Sequence, residues 1–132
     1  MKLRPLLADK GGTSAIEFAL LAPVLILFLI GIAQLGLVFF ANAGLNNAIA
    51  SGARHATLFP RPTEAEIRSR IDAARFGLDP AGVAAPKLTY NTTASPHFAD
   101  IQMSYTMSLN FIVYQAPLTL TQTRRVYLQP LT

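Results

Sequence analysis

The residues that could do chemistry in this sequence lie near its amino terminus, where a glycine precedes a single carboxylate. Gly12 is followed five residues later by Glu17, which comes directly ahead of a long apolar run. A charge at that place is unfavourable in lipid. Cleavage after Gly12 would create a new amine at Thr13, and Glu17 could neutralise this amine within one helix or on an adjacent subunit. A cut after Gly12 would therefore place an amine and a carboxylate where they could form an ion pair.

Glu17 also has a simpler interpretation, which the residues alone leave open. A carboxylate at the start of a helix is favourable near the positive end of the helix dipole, so Glu17 could mark only where a helix begins. Glycine fits the position before a cut because an extended segment with little side chain enters a protease groove readily. Helical periodicity does not by itself prove cleavage.

The apolar run after Glu17 predicts a membrane-spanning helix. Residues 20–40 contain no charge, and Gln34 is their only strongly polar side chain. At about 1.5 Å per residue the run covers roughly 30 Å, the thickness of a hydrocarbon core. With 52% hydrophobic and 14% charged residues, the chain is too apolar for an ordinary soluble protein. Pro23 could kink this helix, or it could simply be tolerated near the start of the span.

Basic residues around the span predict its orientation. Three of them precede it, namely Lys2, Arg4 and Lys10, whereas only Arg54 lies within the fifteen residues that follow it. Because the more basic flank of a span stays in the cytoplasm, we expect a cytoplasmic amino terminus and a carboxyl-terminal part on the other side of the membrane.

Beyond the span, the helical pattern continues with small residues at every fourth position. This row consists of Gly44, Ala48, Gly52 and Ala56. Small side chains permit close backbone contact, so the row is predicted to pack against another element. Because the row starts after the span, its partner is either the folded tail of the chain, which we favour, or a neighbouring subunit.

The tail, residues 57–132, is predicted to be a small α+β domain. Thr63 and Glu66 form a capping box, which predicts a short helix running to about Phe76. Apolar and polar residues alternate strictly over residues 101–110, which predicts a half-buried strand. Weaker strands are predicted at 87–93 and 118–128, with turns near Ser95-Pro96 and near Ala116-Pro117. The fold class is therefore α+β, with a long amino-terminal helix followed by a short helix and an antiparallel three-stranded sheet.

Candidate catalytic and metal-ligating residues are few. His55 and His97 are the only histidines, and His97 with Asp100 lacks a convincing nucleophile. The carboxylates and histidines show no spacing that closes a metal site, and there is no cysteine. The net charge of +4 comes from scattered basic residues without aromatic interleaving, unlike a nucleic-acid surface. We therefore expect no enzyme activity, cofactor, metal, small-molecule substrate or nucleic acid.

The amino-terminal residues resemble a known family. Gly12, Glu17 and Phe18, followed by Ala-Leu-Leu-Ala-Pro at 19–23, resemble the signature of TadE-like minor pilins and pseudopilins of the tight-adherence (Tad) system. The resemblance covers residues 11–56 and implies that a prepilin peptidase cuts between Gly12 and Thr13, and that Glu17 and Phe18 serve subunit recognition. It further implies assembly of adhesive Flp-type pili with other pilins and an inner-membrane assembly platform, without catalysis.

On this interpretation the chain has three parts. They are a cytoplasmic leader of residues 1–12, a long helix of residues 13–56 anchored in the bacterial inner membrane, and a periplasmic α+β domain of residues 57–132. Major pilins of this class are very short after processing, so the folded tail favours a minor or initiating subunit. Two alternatives stay open: a generic anchored periplasmic binding domain, and a secreted domain released by signal peptidase after Ala41-Asn42-Ala43.

Overall fold

The chain is built from one long helix, one short helix and a three-stranded sheet. The computed structural model describes residues 11–93, 95–112 and 114–128. Helix α1 (Gly11–Ala56) is followed by helix α2 (Glu64–Ala73), a 3₁₀ turn (Pro80–Gly82) and three strands, β1 (Lys87–Asn91), β2 (Phe98–Phe111) and β3 (Tyr114–Tyr127). The α+β class, with a long apolar amino-terminal helix, a short helix and an antiparallel sheet, is therefore confirmed.

Helix α1 runs without interruption through Pro23 as far as Ala56. Its residues 13–40 are mostly exposed, whereas from Ala41 onward one face is buried. The buried positions follow each other at intervals of three and four, as they must when one side of a helix meets a partner. One continuous helix therefore has an exposed first part and a second part that packs against the rest of the chain.

Helix α2 begins where the capping box predicts, but it ends earlier than predicted. The Thr63 hydroxyl accepts a hydrogen bond from the backbone N–H of Glu66 at 3.3 Å, and the Glu66 carboxylate accepts one from the backbone N–H of Thr63 at 2.7 Å. The helix ends three residues before the predicted limit at Phe76. Beyond it the chain reverses at Gly77, which has a φ of 64°, and the Phe76 ring contacts that of Phe40 at a centroid distance of 5.6 Å. Phe76, which the prediction placed at the end of the helix, thus packs against Phe40 instead.

The sheet has the strand order β1-β2-β3, and both neighbouring pairs are antiparallel. The alternation over residues 101–110 is confirmed, since Ile101, Met103 and Tyr105 are buried on the inner face while Gln102 and Thr106 are exposed. β1 ends two residues before its predicted limit. The side-chain oxygen of its last residue accepts a hydrogen bond from the N–H two residues on, at 3.2 Å, which starts a turn.

The turn between the last two strands lies elsewhere than predicted. The prediction of a turn at Ala116-Pro117 is wrong, because both residues lie inside β3, where Pro117 pairs with Ser108. A proline is tolerated there because β3 is an outer strand and needs no N–H donor on its open side. The turn instead connects Phe111 to Tyr114, so that both strands of this hairpin are longer than expected.

The core of the tail lies between the last part of α1, helix α2 and the inner face of the sheet. Its largest fully buried side chains come from all three sources, namely Leu45, Ile67, Ile71, Ile101 and Met103. Among the described residues, no polar or charged side chain is buried. α1 therefore supplies one wall of a core that would otherwise be small for independent stability.

Candidate functional site

The first turns of α1 carry the residues predicted to take part in processing and subunit recognition. Thr13, Glu17 and Phe18 are all exposed, with Phe18 at 69%. Because helical residues four apart share one face, Glu17 lies one turn beyond Thr13 on the same side of α1. Within the described part of the chain, the Glu17 carboxylate has no hydrogen-bond or ion-pair partner. It is therefore available to a group from outside this chain, or to the amine that cleavage would create.

The predicted leader is described only at its last two residues. Gly11 and Gly12 belong to the backbone of α1, whereas residues 1–10 lie outside the described residues. The basic residues Lys2, Arg4 and Lys10 fall in that segment, so the cytoplasmic orientation of the amino terminus stays a prediction. The prediction of cleavage after Gly12 likewise rests on the sequence motif.

Residues 18–40 of α1 form a largely apolar surface that the rest of the chain leaves mostly uncovered. Only 6% of the most apolar 18-residue window is buried within the protein, and the mean hydropathy of that window is 2.7. Its large side chains are exposed all around the helix, from Leu20 at 71% to Leu27 at 44%, and Pro23 lies on the same surface. A core helix of a soluble protein would be mostly covered. α1 is thus long and apolar enough to cross a membrane, and its exposed surface fits a membrane anchor.

The small-residue row on α1 is where the tail approaches the helix most closely. A Cβ atom on Gly44 would lie 1.9 Å from the backbone oxygen of Phe76, and one on Gly52 would lie 2.3 Å from Cγ1 of Ile71. Both alanines of the row are buried as well. The two glycines therefore face helix α2 and the loop that follows it, in the same chain, and larger side chains would collide there.

Three amide side chains of α1 connect the helix to the tail, and the sequence offered no partner for any of them. Gln34 donates to the backbone oxygen of Asn110 at 3.1 Å, Asn47 donates to that of Ala74 at 2.8 Å, and Asn42 accepts from the Gln122 amide at 3.0 Å. The one available signal was the polarity of Gln34 within an apolar run. Such a signal marks a contact without telling where its partner lies.

Asp100 is paired with an arginine. Arg125 donates through Nε and Nη2 to the two carboxylate oxygens of Asp100 at 2.8 and 2.9 Å. These hydrogen bonds lower the pKa of Asp100 and raise the pKa of Arg125, because both stabilise the charged forms. The Arg125 guanidinium also lies 4.0 Å from the centroid of the Phe98 ring. Asp100 thus joins β2 to β3 and has a structural role.

The two histidines take different places. His97 has a buried ring nitrogen, Nδ1, without a hydrogen-bond partner in the described ranges, and His55 is half-buried near the end of α1. Within residues 11–93, 95–112 and 114–128, no group of three histidine or carboxylate side chains is placed to hold a metal ion.

The family model described as TadE-like protein matches residues 12–54. The match begins at the glycine of the predicted cleavage site and ends near the last residue of α1, so it covers both the uncovered and the packed part of the helix. It confirms the resemblance that Gly12, Glu17 and Phe18 indicated. No curated protein and no solved structure matches the chain.

Proposed function

We propose that this chain is a minor pilin or pseudopilin of the tight-adherence system, anchored in the bacterial inner membrane and used in the assembly of Flp-type pili. The observation that carries the proposal is that the family match over residues 12–54 covers nearly all of α1. The amino-terminal part of this helix is apolar and exposed, and its carboxyl-terminal part packs into the folded tail. Such a helix can lie in lipid and later beside other subunits, because both surroundings are apolar.

Processing would take place at the cytoplasmic end of α1. A prepilin peptidase cuts between Gly12 and Thr13, and the new amine and Glu17 then form a pair within one chain or between neighbours. An unpaired carboxylate next to the hydrocarbon is unfavourable, so Glu17 gains most from a subunit that brings an amine to it. Phe18 is exposed beside it and would contact the same neighbour.

The role of the chain is one of assembly rather than catalysis. Its partners are the prepilin peptidase, other pilins or pseudopilins, and the inner-membrane platform of the Tad system. With the amino terminus in the cytoplasm, the tail lies in the periplasm. The size of this folded tail favours a minor or initiating subunit over the major pilin.

Two contacts support retention of the whole helix over release by signal peptidase. Ala41, within the alternative cleavage motif, is 1% exposed in the core, and the neighbouring Asn42 accepts a hydrogen bond from Gln122. Cleavage after Ala43 would remove both contacts from the tail. The mature protein is therefore expected to keep α1.

The first test is the intact mass and amino-terminal sequence of the protein from membranes, with and without a co-expressed prepilin peptidase. A peptidase-dependent start at Thr13 is the expected result. Gly12→Leu should block this cleavage, whereas Gly36→Leu, which adds the same side chain farther along the helix where nothing lies within 4 Å, should not. An intact leader despite active peptidase would leave only a membrane anchor, and a start at Gly44 would identify a secreted domain.

The second test separates processing from assembly. Glu17→Gln keeps the size of the side chain and removes its charge, so it should be cleaved like the wild type but be depleted from assembled pili or pilus complexes. Glu17→Asp, which keeps the charge, should be incorporated better than Glu17→Gln. Normal incorporation of Glu17→Gln at equal abundance would contradict the role of the carboxylate.

A further inference from the structure

The β2–β3 hairpin extends beyond the core of the tail and along α1. Its strands stay paired as far as Phe111 opposite Tyr114, whereas β1 pairs only with the first five residues of β2. Along the inner face of β2, the side chains change from buried at Tyr105 to half-buried at Met107 and Leu109. The end of the hairpin is therefore a projection that leaves the core.

A hydrogen bond shows how far this projection reaches. The Gln34 side chain donates to the backbone oxygen of Asn110 at 3.1 Å. Gln34 lies inside the uncharged run of residues 20–40, about 9 Å before Phe40 at 1.5 Å per residue. The end of the hairpin thus stands beside a part of α1 that is apolar enough for lipid.

The thickness of the hydrocarbon core indicates that Gln34 lies near the edge of the hydrocarbon. If the hydrocarbon begins at Phe18, directly after Glu17, then Gln34 lies about 24 Å and Val38 about 30 Å along the helix axis. A core of roughly 30 Å therefore ends only a few residues beyond Gln34. Tilting of α1 would move this boundary closer to Phe40 and leave the hairpin end deeper.

The side chains at the end of the hairpin suit a membrane interface. Ile112 and Tyr114 are 66% and 65% exposed, and Phe111 is half-buried beside them. Residues 101–123 contain no charge. Insertion of the turn and the adjoining strand segments into the headgroup region therefore desolvates no charged group. Tyrosine is enriched at this level of membranes because its ring is apolar while its hydroxyl group stays hydrated.

We propose that the hairpin tip, formed by Phe111, Ile112 and Tyr114, inserts into the boundary between headgroups and acyl chains on the membrane face from which the tail projects. The inference rests on anchoring by α1, which is part of the proposed function, and does not depend on cleavage or pilus assembly. Insertion reaches about 5–10 Å. It stops there because the turn between the strands would otherwise carry unpaired backbone groups into hydrocarbon.

Such insertion gives the tail two contacts with the membrane, one through α1 and one through the hairpin tip. A single helix would leave the tail free to rotate about the helix axis. The second contact fixes that rotation and thereby selects which side of the sheet faces away from the membrane. It also keeps the level of Gln34 just inside the outer boundary of the hydrocarbon.

The test uses tryptophan fluorescence, because the chain contains no tryptophan of its own. Three full-length variants are reconstituted in vesicles of phosphatidylethanolamine and phosphatidylglycerol with brominated acyl chains: Tyr114→Trp at the hairpin tip, Phe28→Trp in α1, and Thr123→Trp as the matched strand control. Thr123 is exposed in the same strand and lies about 30 Å from Tyr114. We expect strong quenching at position 28, intermediate quenching with emission at shorter wavelength at position 114, and no quenching at position 123.

The outcomes separate this inference from the proposed function. Unquenched emission at position 114, with quenching at position 28, overturns the inference and leaves the anchor in place. Equal quenching at positions 114 and 123 also overturns it, because the whole sheet would then lie against the membrane. Absence of quenching at all three positions removes the anchor, and with it both the inference and the proposed function.

A second pair of variants guards against misfolding. Ile112→Asp in the Tyr114→Trp background should lose the quenching at position 114, since a carboxylate resists insertion, while Ile112→Leu should keep it. Both substitutions are at an exposed side chain, so the tyrosine circular dichroism of the tail should be unchanged. Undiminished quenching in a folded Ile112→Asp protein would overturn the inference.

Discussion

The two parts of helix α1 have different surfaces although they form one uninterrupted helix. Residues 18–40 are almost entirely apolar and mostly exposed, whereas residues 41–56 bury one face, in which glycines and alanines lie beside Leu45 and Ile49. Lipid surrounds a helix uniformly and accepts any apolar side chain, while a protein partner comes from one direction and has a fixed shape. Hydrophobicity therefore decides whether a helix leaves water, and residue size decides whether a specific neighbour can approach it.

The largest expected effect comes from removing the same side chain in each part. Leu45→Ala truncates a residue that is 0% exposed and should lower the free energy of unfolding of the tail by about 2–5 kcal/mol. Leu25→Ala truncates a residue that is 55% exposed and should leave this free energy within about 0.5 kcal/mol of the wild type. Urea unfolding in detergent micelles, followed by circular dichroism of the sheet, measures both. Equal losses would mean that the uncovered part also supports the core.

A smaller effect should follow from adding one methyl group to a glycine in each part. In Gly44→Ala, the new Cβ would lie 1.9 Å from a backbone oxygen, which no side-chain rotation relieves, so the tail should lose about 1–3 kcal/mol. In Gly36→Ala, the Cβ meets nothing within 4 Å, and the better helix propensity of alanine should be neutral or favourable by up to about 1 kcal/mol. The same unfolding curves test this pair. Equal stability of the two variants would contradict a close contact at position 44.

The smallest effect concerns pH and is confined to the tail. Hydrogen bonds from Arg125 lower the pKa of Asp100 below its ordinary 3.8, so the ionised carboxylate stabilises the folded tail at neutral pH. This contribution is lost as the pH falls below about 3.8 toward the lowered pKa of the folded state. Asp100→Asn should therefore make the free energy of unfolding decline less steeply in acid. Arg125→Gln should have the same effect, because it removes the charged partner of Asp100. Unfolding curves at several acidic pH values measure the slope, and an unchanged slope in both variants would rule out this contribution.

Features with a local signal could be predicted from the sequence. The apolar run, the capping box at Thr63 and Glu66, and the alternation over residues 101–110 all depend on neighbours a few positions apart. The last turn could not be predicted in the same way, because Ala116-Pro117 has stronger turn chemistry than the residues that form the turn. Pro117 is acceptable in a strand only because β3 is the outer strand, and that position is a property of the assembled sheet.

The contacts of α1 could be predicted only in part. Spacing identified Gly44 and Gly52 as points of close approach, but their partners are set by how α2 and its following loop fold back. The polarity of Gln34 marked an unusual position, whereas its partner Asn110 lies 76 residues away, beyond any local pattern. The role of Glu17 depends on other molecules, so the motif and the family match carry it.

α1 passes from its uncovered part into the tail without an intervening linker, which gives the chain a mechanical property. From Phe40 to Ala56 the helix extends about 24 Å beyond the apolar run. A tilt of about 20°, ordinary for a membrane helix, would therefore displace its far end sideways by about 8 Å. Because α1 forms one wall of the core, the tail moves together with the helix. In the proposed membrane-anchored state, torque on the apolar part of α1 would thus be transmitted directly to the tail.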